Sequence, residues 1–467
     1  MFTLYMYLRR YDTDHENLFR QESYFHYLFG VKEPGFWGSI TLNADGTTTT
    51  TLFCPRLPAE YAVWMGKILT PADIKDIHDV DEVFYVDEME ATLEPRVTAA
   101  SSLLLMTGTN TDSSSTYPLP ALPPTLSPLP TDTTTLFPLL QNCRVYKSPE
   151  ELSLMKHVSK LSSLSHIYTM RECKPGMMEY QLESLFNHHS YYNFGCRVAG
   201  YTGICACGPN PAVLHYGHAG APNDGVIKDG DMCMLDMGSE YCCYGADISC
   251  SFPANGKFTA DQKVVYKAVL AAQVAVYDML KPGTNYLDCH KAAEGEILKG
   301  LIELGVVVQK DKTVKELVDM RLAAHWMPHG LGHFIGIDTH DVGGYPDGGK
   351  YQRQTGIGLK SLRTARDMEE NMVLTVEPGC YFIDHMIDKL LADDELKQYV
   401  NVDRLNGLRG TGGVRLEDVV AVTATGCVNY TLAPRGVDEV EMVMGGGKWP
   451  PVKDNHPECR REGLLNM

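Results

Sequence analysis

The most regular hydrophobic pattern in the chain lies between residues 260 and 280, where Val264, Val265, Ala268 and Val269 recur at helical spacing. Thr259 precedes this stretch as an N-cap, and Lys281-Pro-Gly follows it as a stop. The same signals predict three more helices. One opens at Ser148-Pro-Glu-Glu, with proline at its first position and acids in its first turn. It runs to about Cys173, where Lys174-Pro-Gly breaks it. Another covers residues 179–191, and a fourth residues 286–304. Apolar runs predict strands at residues 231–237, 245–252, 372–377 and 414–423. The return of Lys-Pro-Gly after two of the long helices points to an internal duplication.

The first part of the chain has a shorter rhythm. Strands are predicted at residues 35–42 and 47–53, joined by an Asn43-Ala-Asp-Gly turn, with a helix over residues 60–69. Residues 106–138 then change character: Thr and Ser dominate, with Pro118, Pro120, Pro123, Pro124, Pro128 and Pro130 among them. Such a stretch is expected to be extended, to bury little and to close the first domain as a surface connection. A length of 467 residues exceeds one ordinary core. Two domains are therefore expected, residues 1–143 and 144–467.

A net charge of −18 argues against nucleic acid and anionic membranes as partners. No run approaches the roughly 18 apolar residues that span a bilayer, and residues 1–10 make a poor signal peptide. The fourteen cysteines are scattered from Cys54 to Cys459 without a C-x-x-C pair, which predicts reduced thiols in a cytoplasmic protein.

Candidate chemistry begins in residues 327–341, where His329, His333 and His340 lie among glycines. Gly330 and Gly332 disfavour a helix, so the run is expected to be extended or looped backbone presenting imidazoles into a cleft. Carboxylates elsewhere can complete a site. Asp236 and Asp247 are eleven apart, with a plausible turn at Gly238-Ser-Glu-Tyr, so one hairpin would set them nearly opposite each other. Glu377 ends an apolar strand before Pro378, and Glu417 shares a face with Arg415. Four carboxylates and one imidazole suit a hard divalent ion such as Mn²⁺, and are more than a single catalytic ion needs.

In that order and in those contexts, Asp236, Asp247, His333, Glu377 and Glu417 resemble the five ligands of the pita-bread metallopeptidases. Longer strings are similar to the prolidase (Xaa-Pro dipeptidase) branch of that family. They are Phe19-Arg-Gln-Glu-Ser, Leu214-His-Tyr-Gly-His-Ala-Gly-Ala-Pro-Asn-Asp, Ser251-Phe-Pro-Ala-Asn-Gly-Lys-Phe-Thr-Ala-Asp-Gln, residues 327–346 and Ser361-Leu-Arg-Thr-Ala-Arg. The resemblance implies an α+β protein: a creatinase-like N-terminal α/β domain, shortened at its start, before a pita-bread catalytic domain with pseudo-twofold symmetry. It also implies a homodimer and two Mn²⁺ per subunit, with Co²⁺ as an alternative ion.

By motif, Asp236 would chelate one ion, Asp247 and Glu417 would bridge the pair, and His333 and Glu377 would complete the other. Glu377 would also shuttle a proton. His215 and His340 would line the pocket and stabilise the oxyanion. Arg363 would grip the carboxylate of a C-terminal proline. Tyr201 and Arg415 would support the pocket, and Trp64 would reach the other subunit's site. The implied activity is hydrolysis of Xaa-Pro dipeptides. The alternatives are an Xaa-Pro aminopeptidase acting on longer peptides and a non-catalytic binding protein on the same fold.

Overall fold

Ser148 and Thr259 each accept a hydrogen bond from the amide three residues on, and Glu151 and Gln262 return the favour. These two capping boxes start the long helices that the apolar spacing predicts. The computed structural model describes residues 12–98, 102–111, 113–346 and 349–467, so the reading of residues 1–10 as a poor signal peptide lies outside them. The chain divides into two compact units, Met1–Cys143 and Arg144–Met467.

In the first unit, β1 (Trp37–Leu42) and β2 (Thr48–Cys54) form an antiparallel hairpin, and β3 (Glu82–Tyr85) joins β2 in parallel. The turn closes where Asn43 and Thr47 bond through their backbones at 2.8 Å. The expected helix over residues 60–69 is only a 3-10 turn and a short helix, Ala62–Met65. Gly66 ends it at φ 75°, a conformation glycine adopts without cost. The Thr/Ser/Pro stretch also departs from expectation. Leu126 is fully buried beside Trp37, Phe53 and Leu93, with Leu122 and Leu129 against the same cluster. A few leucines spaced between prolines are enough to make this segment one wall of a small core.

In the second unit, α1 (Pro149–Glu172) packs on α2 (Glu179–Phe194), and α3 (Ala260–Met279) on α4 (Tyr286–Glu303). After α2 come β4 (Val198–Ala199), β5 (Ile204–Cys207), β6 (Met232–Asp236), β7 (Ser239–Tyr241), β8 (Tyr244–Gly245) and β9 (Ser249–Pro253). After α4 come β10 (Val373–Val376), β11 (Gly379–Tyr381), β12 (Gly413–Arg415), β13 (Asp418–Val422) and β14 (Cys427–Asn429). Both halves are long hairpins broken midway. Strand β6 pairs with β9 and then β7 with β8; likewise β10 pairs with β13 and β11 with β12. This repeat of helix pair and broken hairpin is the pseudo-twofold architecture of the pita-bread fold, and Lys-Pro-Gly marks the same turn in each half.

Two predicted strands, residues 245–252 and 414–423, are therefore each interrupted by a few residues. The first hairpin reverses at Cys242-Cys243, both at positive φ, rather than at the expected 238–241. The register pairs Asp236 with Ser249 and leaves Asp247 in the break between β8 and β9. No disulfide forms among the fourteen cysteines, and no described helix is long and apolar enough to cross a membrane.

Strand β13 begins on a buried ion pair. Asp418 accepts from Arg435 Nε at 2.9 Å, Tyr277 Oη at 2.6 Å and Asn429 Nδ2 at 2.7 Å, and Arg435 also donates to the Glu417 carbonyl at 2.7 Å. Replacing Arg435 with Met leaves Asp418 buried without its cation. This should lower the unfolding free energy by about 3–5 kcal/mol in a urea titration. A loss below about 1 kcal/mol would show that the pair does not hold β13 in place.

Candidate metal centre

Residues 327–341 are non-helical, as the glycines predict, and lie alongside β10. The Thr375 amide donates to the His333 carbonyl at 2.8 Å, and the Glu377 amide to the Leu331 carbonyl at 2.8 Å. Gly332 permits this approach, because a Cβ there would sit 2.1 Å from the Thr375 carbonyl oxygen. The imidazole of His333 is oriented by its own neighbours. Its Nδ1 lies 2.9 Å from the Phe334 carbonyl, and its Nε2 points at Asp247 (3.4 Å) and Glu377 (3.6 Å). With Nδ1 directed at that carbonyl, Nε2 is the ring nitrogen that faces the cleft; burial works against the imidazolium, but the Asp247 and Glu377 carboxyls prevail and raise it.

The carboxyls arrive from strand ends and strand breaks. Asp236 ends β6, Asp247 precedes β9, Glu377 lies between β10 and β11, and Glu417 between β12 and β13. A residue in such a break is released from the ladder, so its side chain can leave the face that the strand alternation would impose. The two halves meet here, with the Glu417 amide donating to the Ser249 carbonyl at 3.1 Å and Ser249 Oγ to Glu417 Oε2 at 2.9 Å. Three sets of ligand atoms form, each within 4.8 Å: Asp236, Asp247 and Glu417; His333, Glu377 and Glu417; and Asp247, His333 and His340.

The structure commits Tyr201 and Arg415 to Asp236. Tyr201 Oη donates to Asp236 Oδ1 at 2.6 Å and Arg415 Nη2 to Oδ2 at 2.5 Å, while Arg415 also donates to Ser249 Oγ at 2.9 Å and Tyr381 Oη at 3.0 Å. His340 stacks edge-on against His333, with ring centroids 4.5 Å apart. The residue after it, Asp341, is anchored by Arg144 at 2.6 Å and Lys147 at 2.8 Å. His215 is exposed in the loop between β5 and β6. Charges on Arg415 and Arg363 reach it, and Arg363 also acts on His333 and His340, so these groups share one cleft. Trp64 lies in the other unit, 82% exposed.

Sequence reading passes over Tyr381, Ser249, Thr375 and Asp341. Tyr381, Ser249 and Asp341 act through partners distant in sequence, which no local pattern marks, while Thr375 meets both the distant His333 amide and Glu377 two residues on.

The electrostatics favour a cation. Burial pushes the Glu417 carboxyl well above its usual range, and Asp247, Glu377 and Asp236 push it further. Burial likewise raises Glu377 to about 7, and raises Asp236 against the pull of Arg415. Only Asp247 falls, to about 2: burial works against it, but its contact with His333 prevails. Asp247 Oδ1 is buried and accepts no hydrogen bond. A buried carboxylate oxygen without a donor is costly unless it meets a cation. The donor set of carboxylate oxygens with one or two imidazole nitrogens therefore fits a hard divalent metal.

Comparison with known proteins agrees with this chemistry. The model of metallopeptidase family M24 matches residues 153–424, and that of the aminopeptidase P N-terminal domain matches residues 7–105. The human Xaa-Pro dipeptidase is 49% identical over 438 residues, 94% of this chain and 87% of that protein. A probable Xaa-Pro aminopeptidase of Talaromyces marneffei is 32% identical over 93% of this chain and 90% of that protein. Among solved structures, proline aminopeptidase P II from Yersinia pestis is 28% identical with a TM-score of 0.74, covering 95% of this chain and 94% of that one. The chain thus belongs to metallopeptidase family M24, with an aminopeptidase P type N-terminal domain ahead of the catalytic one.

Proposed function

We propose that this protein hydrolyses Xaa-Pro dipeptides and releases their C-terminal proline. The observation that carries the reading is the meeting of five candidate ligand side chains from both halves of the fold, one of which, Asp247, has a buried oxygen that accepts no hydrogen bond. The 49% identity to a dipeptidase selects the substrate class. The residues present would hold a pair of divalent ions, Mn²⁺ or else Co²⁺: Asp236 at one, His333 and Glu377 at the other, and Asp247 and Glu417 shared between them. Bound there, the ions supply Lewis acidity, polarising the scissile carbonyl and activating water near neutral pH.

The chain's own groups do the rest. Glu377, beside the place where the attacking water would sit, takes a proton from that water and passes it to the proline nitrogen. Burial holds the His340 imidazole neutral, with a pKa down at about 3. It therefore keeps an N–H to offer the developing oxyanion, and His215 serves the same role from the facing loop. Arg363 pairs with the free carboxylate of the proline, which sets the substrate length at two residues. Tyr201 and Arg415 hold the Asp236 carboxyl in place, one on each oxygen. The units 1–143 and 144–467 act as dimerisation and catalytic domains of a cytoplasmic homodimer, in which the exposed Trp64 of one copy meets the cleft of the other. The likeness to aminopeptidase P structures favours a second reading, cleavage of longer Xaa-Pro peptides. The convergence of all five ligands argues against a binding protein without activity.

Purified protein loaded with Mn²⁺ should release proline from Gly-Pro and lose this activity on chelation. Asp247→Asn should lower the bound metal per chain, measured by elemental analysis, together with activity. Metal-loaded protein that binds two ions yet leaves Gly-Pro intact would overturn the reading, and faster cleavage of Gly-Pro-Ala than of Gly-Pro would move it to the aminopeptidase.

Arg363→Ala should raise KM for Gly-Pro by about 10–100-fold, the equivalent of about 1.5–3 kcal/mol for a hydrogen bond to a charged group, with a smaller change in kcat. An unchanged KM would remove the carboxylate clamp.

A further inference from the structure

Between β5 and β6 the chain passes through residues 208–231, where the one named element is a 3-10 turn, Asn210–Ala212. His215 lies in this loop, which has no strand ladder to hold it over most of its length. The side chains that fix it come from α2. Glu179, fully buried in the first turn of that helix, accepts four hydrogen bonds. Its Oε1 receives the Cys207 amide at 2.7 Å and Asn210 Nδ2 at 2.8 Å. Its Oε2 receives the Tyr216 hydroxyl at 2.7 Å and the Gly225 amide at 2.8 Å. One helical turn on, Glu183 accepts from Asn223 Nδ2 at 2.9 Å, and Asn223 Oδ1 accepts the Cys205 amide at 3.0 Å. The two carboxyls, four residues apart on one helix face, thus grip the loop near its start, beside His215 and near its end.

An acid in the first turn of a helix commonly serves that helix's own exposed amides. Glu179 does not: all four donors belong to β5 and the loop. Among the described residues no cation pairs with it, so these four donors from β5 and the loop compensate its burial. The fit leaves no slack, since a Cβ on Gly225 would lie 2.7 Å from Glu179 Oε2. Tyr216, which Glu179 holds, is the residue next to His215.

We propose that Glu179 is a positioning residue for the dipeptidase reaction, fixing through Tyr216 and the loop the place from which His215 meets the substrate. This rests on the part given to His215 under the proposed function. Glu179→Gln keeps the shape of the side chain but turns one oxygen into an N–H donor. Whichever way the amide lies, that donor faces a backbone amide, from Cys207 or from Gly225.

The test is a double-mutant cycle on the metal-loaded protein with Gly-Pro as substrate. Glu179→Gln should lower kcat/KM by about 10–100-fold with metal content unchanged. In the His215→Ala background the same substitution should cost less than about twofold. Equal losses in both backgrounds would overturn the proposal, because a general loss of structure adds independently of His215. Hydrogen exchange provides a second measurement that needs no activity. Amides of residues 207–225 should exchange faster in Glu179→Gln while those of β6 and β9 keep their rates. Unchanged loop exchange would equally overturn it. If the unmodified protein bound metal but released no proline, the dipeptidase reading would fail and the catalytic role of Glu179 with it. The exchange result would then show only whether Glu179 holds the loop.

Discussion

The dominant constraint in this protein is the cost of bringing four carboxyl groups together in a buried place. Asp236, Asp247 and Glu417 are nearly inaccessible, and Glu377 is only partly open. Like charges at this separation repel in a medium that screens them poorly. Burial first, and that repulsion after it, raise the carboxyls of Glu417, Glu377 and Asp236. The fold tolerates the arrangement because Arg415, Tyr201, Ser249 and Thr375 each take one oxygen in hand. They do not satisfy every oxygen, and the residue of unmet demand at Asp247 is what gives a cation its purchase.

The broken hairpins are the geometric answer to that constraint. An unbroken strand alternates its side chains and could send at most every second residue into the cleft. A break of two or three residues lets a carboxyl turn inward at the boundary, where the next strand pair has not yet begun. Asp247, Glu377 and Glu417 each use such a break, and Asp236 uses the end of its strand. The duplication supplies the breaks in corresponding places, so that the site forms at the seam between halves, where the Glu417 amide meets the Ser249 carbonyl.

Much of this was legible in the sequence, and the failures have physical causes. Helix starts at Ser148 and Thr259 were readable because capping is local: the cap and its partner are three residues apart. The looped character of residues 327–341 followed from Gly330 and Gly332, although their true office is close packing against Leu362 and Thr375 rather than freedom of φ. The helix over residues 60–69 failed because one glycine at positive φ outweighed apolar spacing. The proline-rich stretch failed because composition averages over residues, whereas Leu126 buries itself singly. The five candidate ligands were readable as residue types that suit a hard cation, and only their separate roles came through resemblance. Their supporting contacts, Arg415 to Asp236 and Ser249 to Glu417, span well over a hundred residues and leave no periodic trace.

The same separation in sequence has a thermodynamic consequence. Asp236 and Asp247 come from the first half, and His333, Glu377 and Glu417 follow the second helix pair. A cation held among them bonds to the folded arrangement and to nothing equivalent in the unfolded chain, where these residues are far apart. Binding free energy would then become folding free energy, and such an ion would tighten the seam between the halves. The carboxylates that repel one another at the seam are thus the groups through which a cation would couple the two halves. A cation bound there would offset the same unfavourable charge and so stabilise the folded chain.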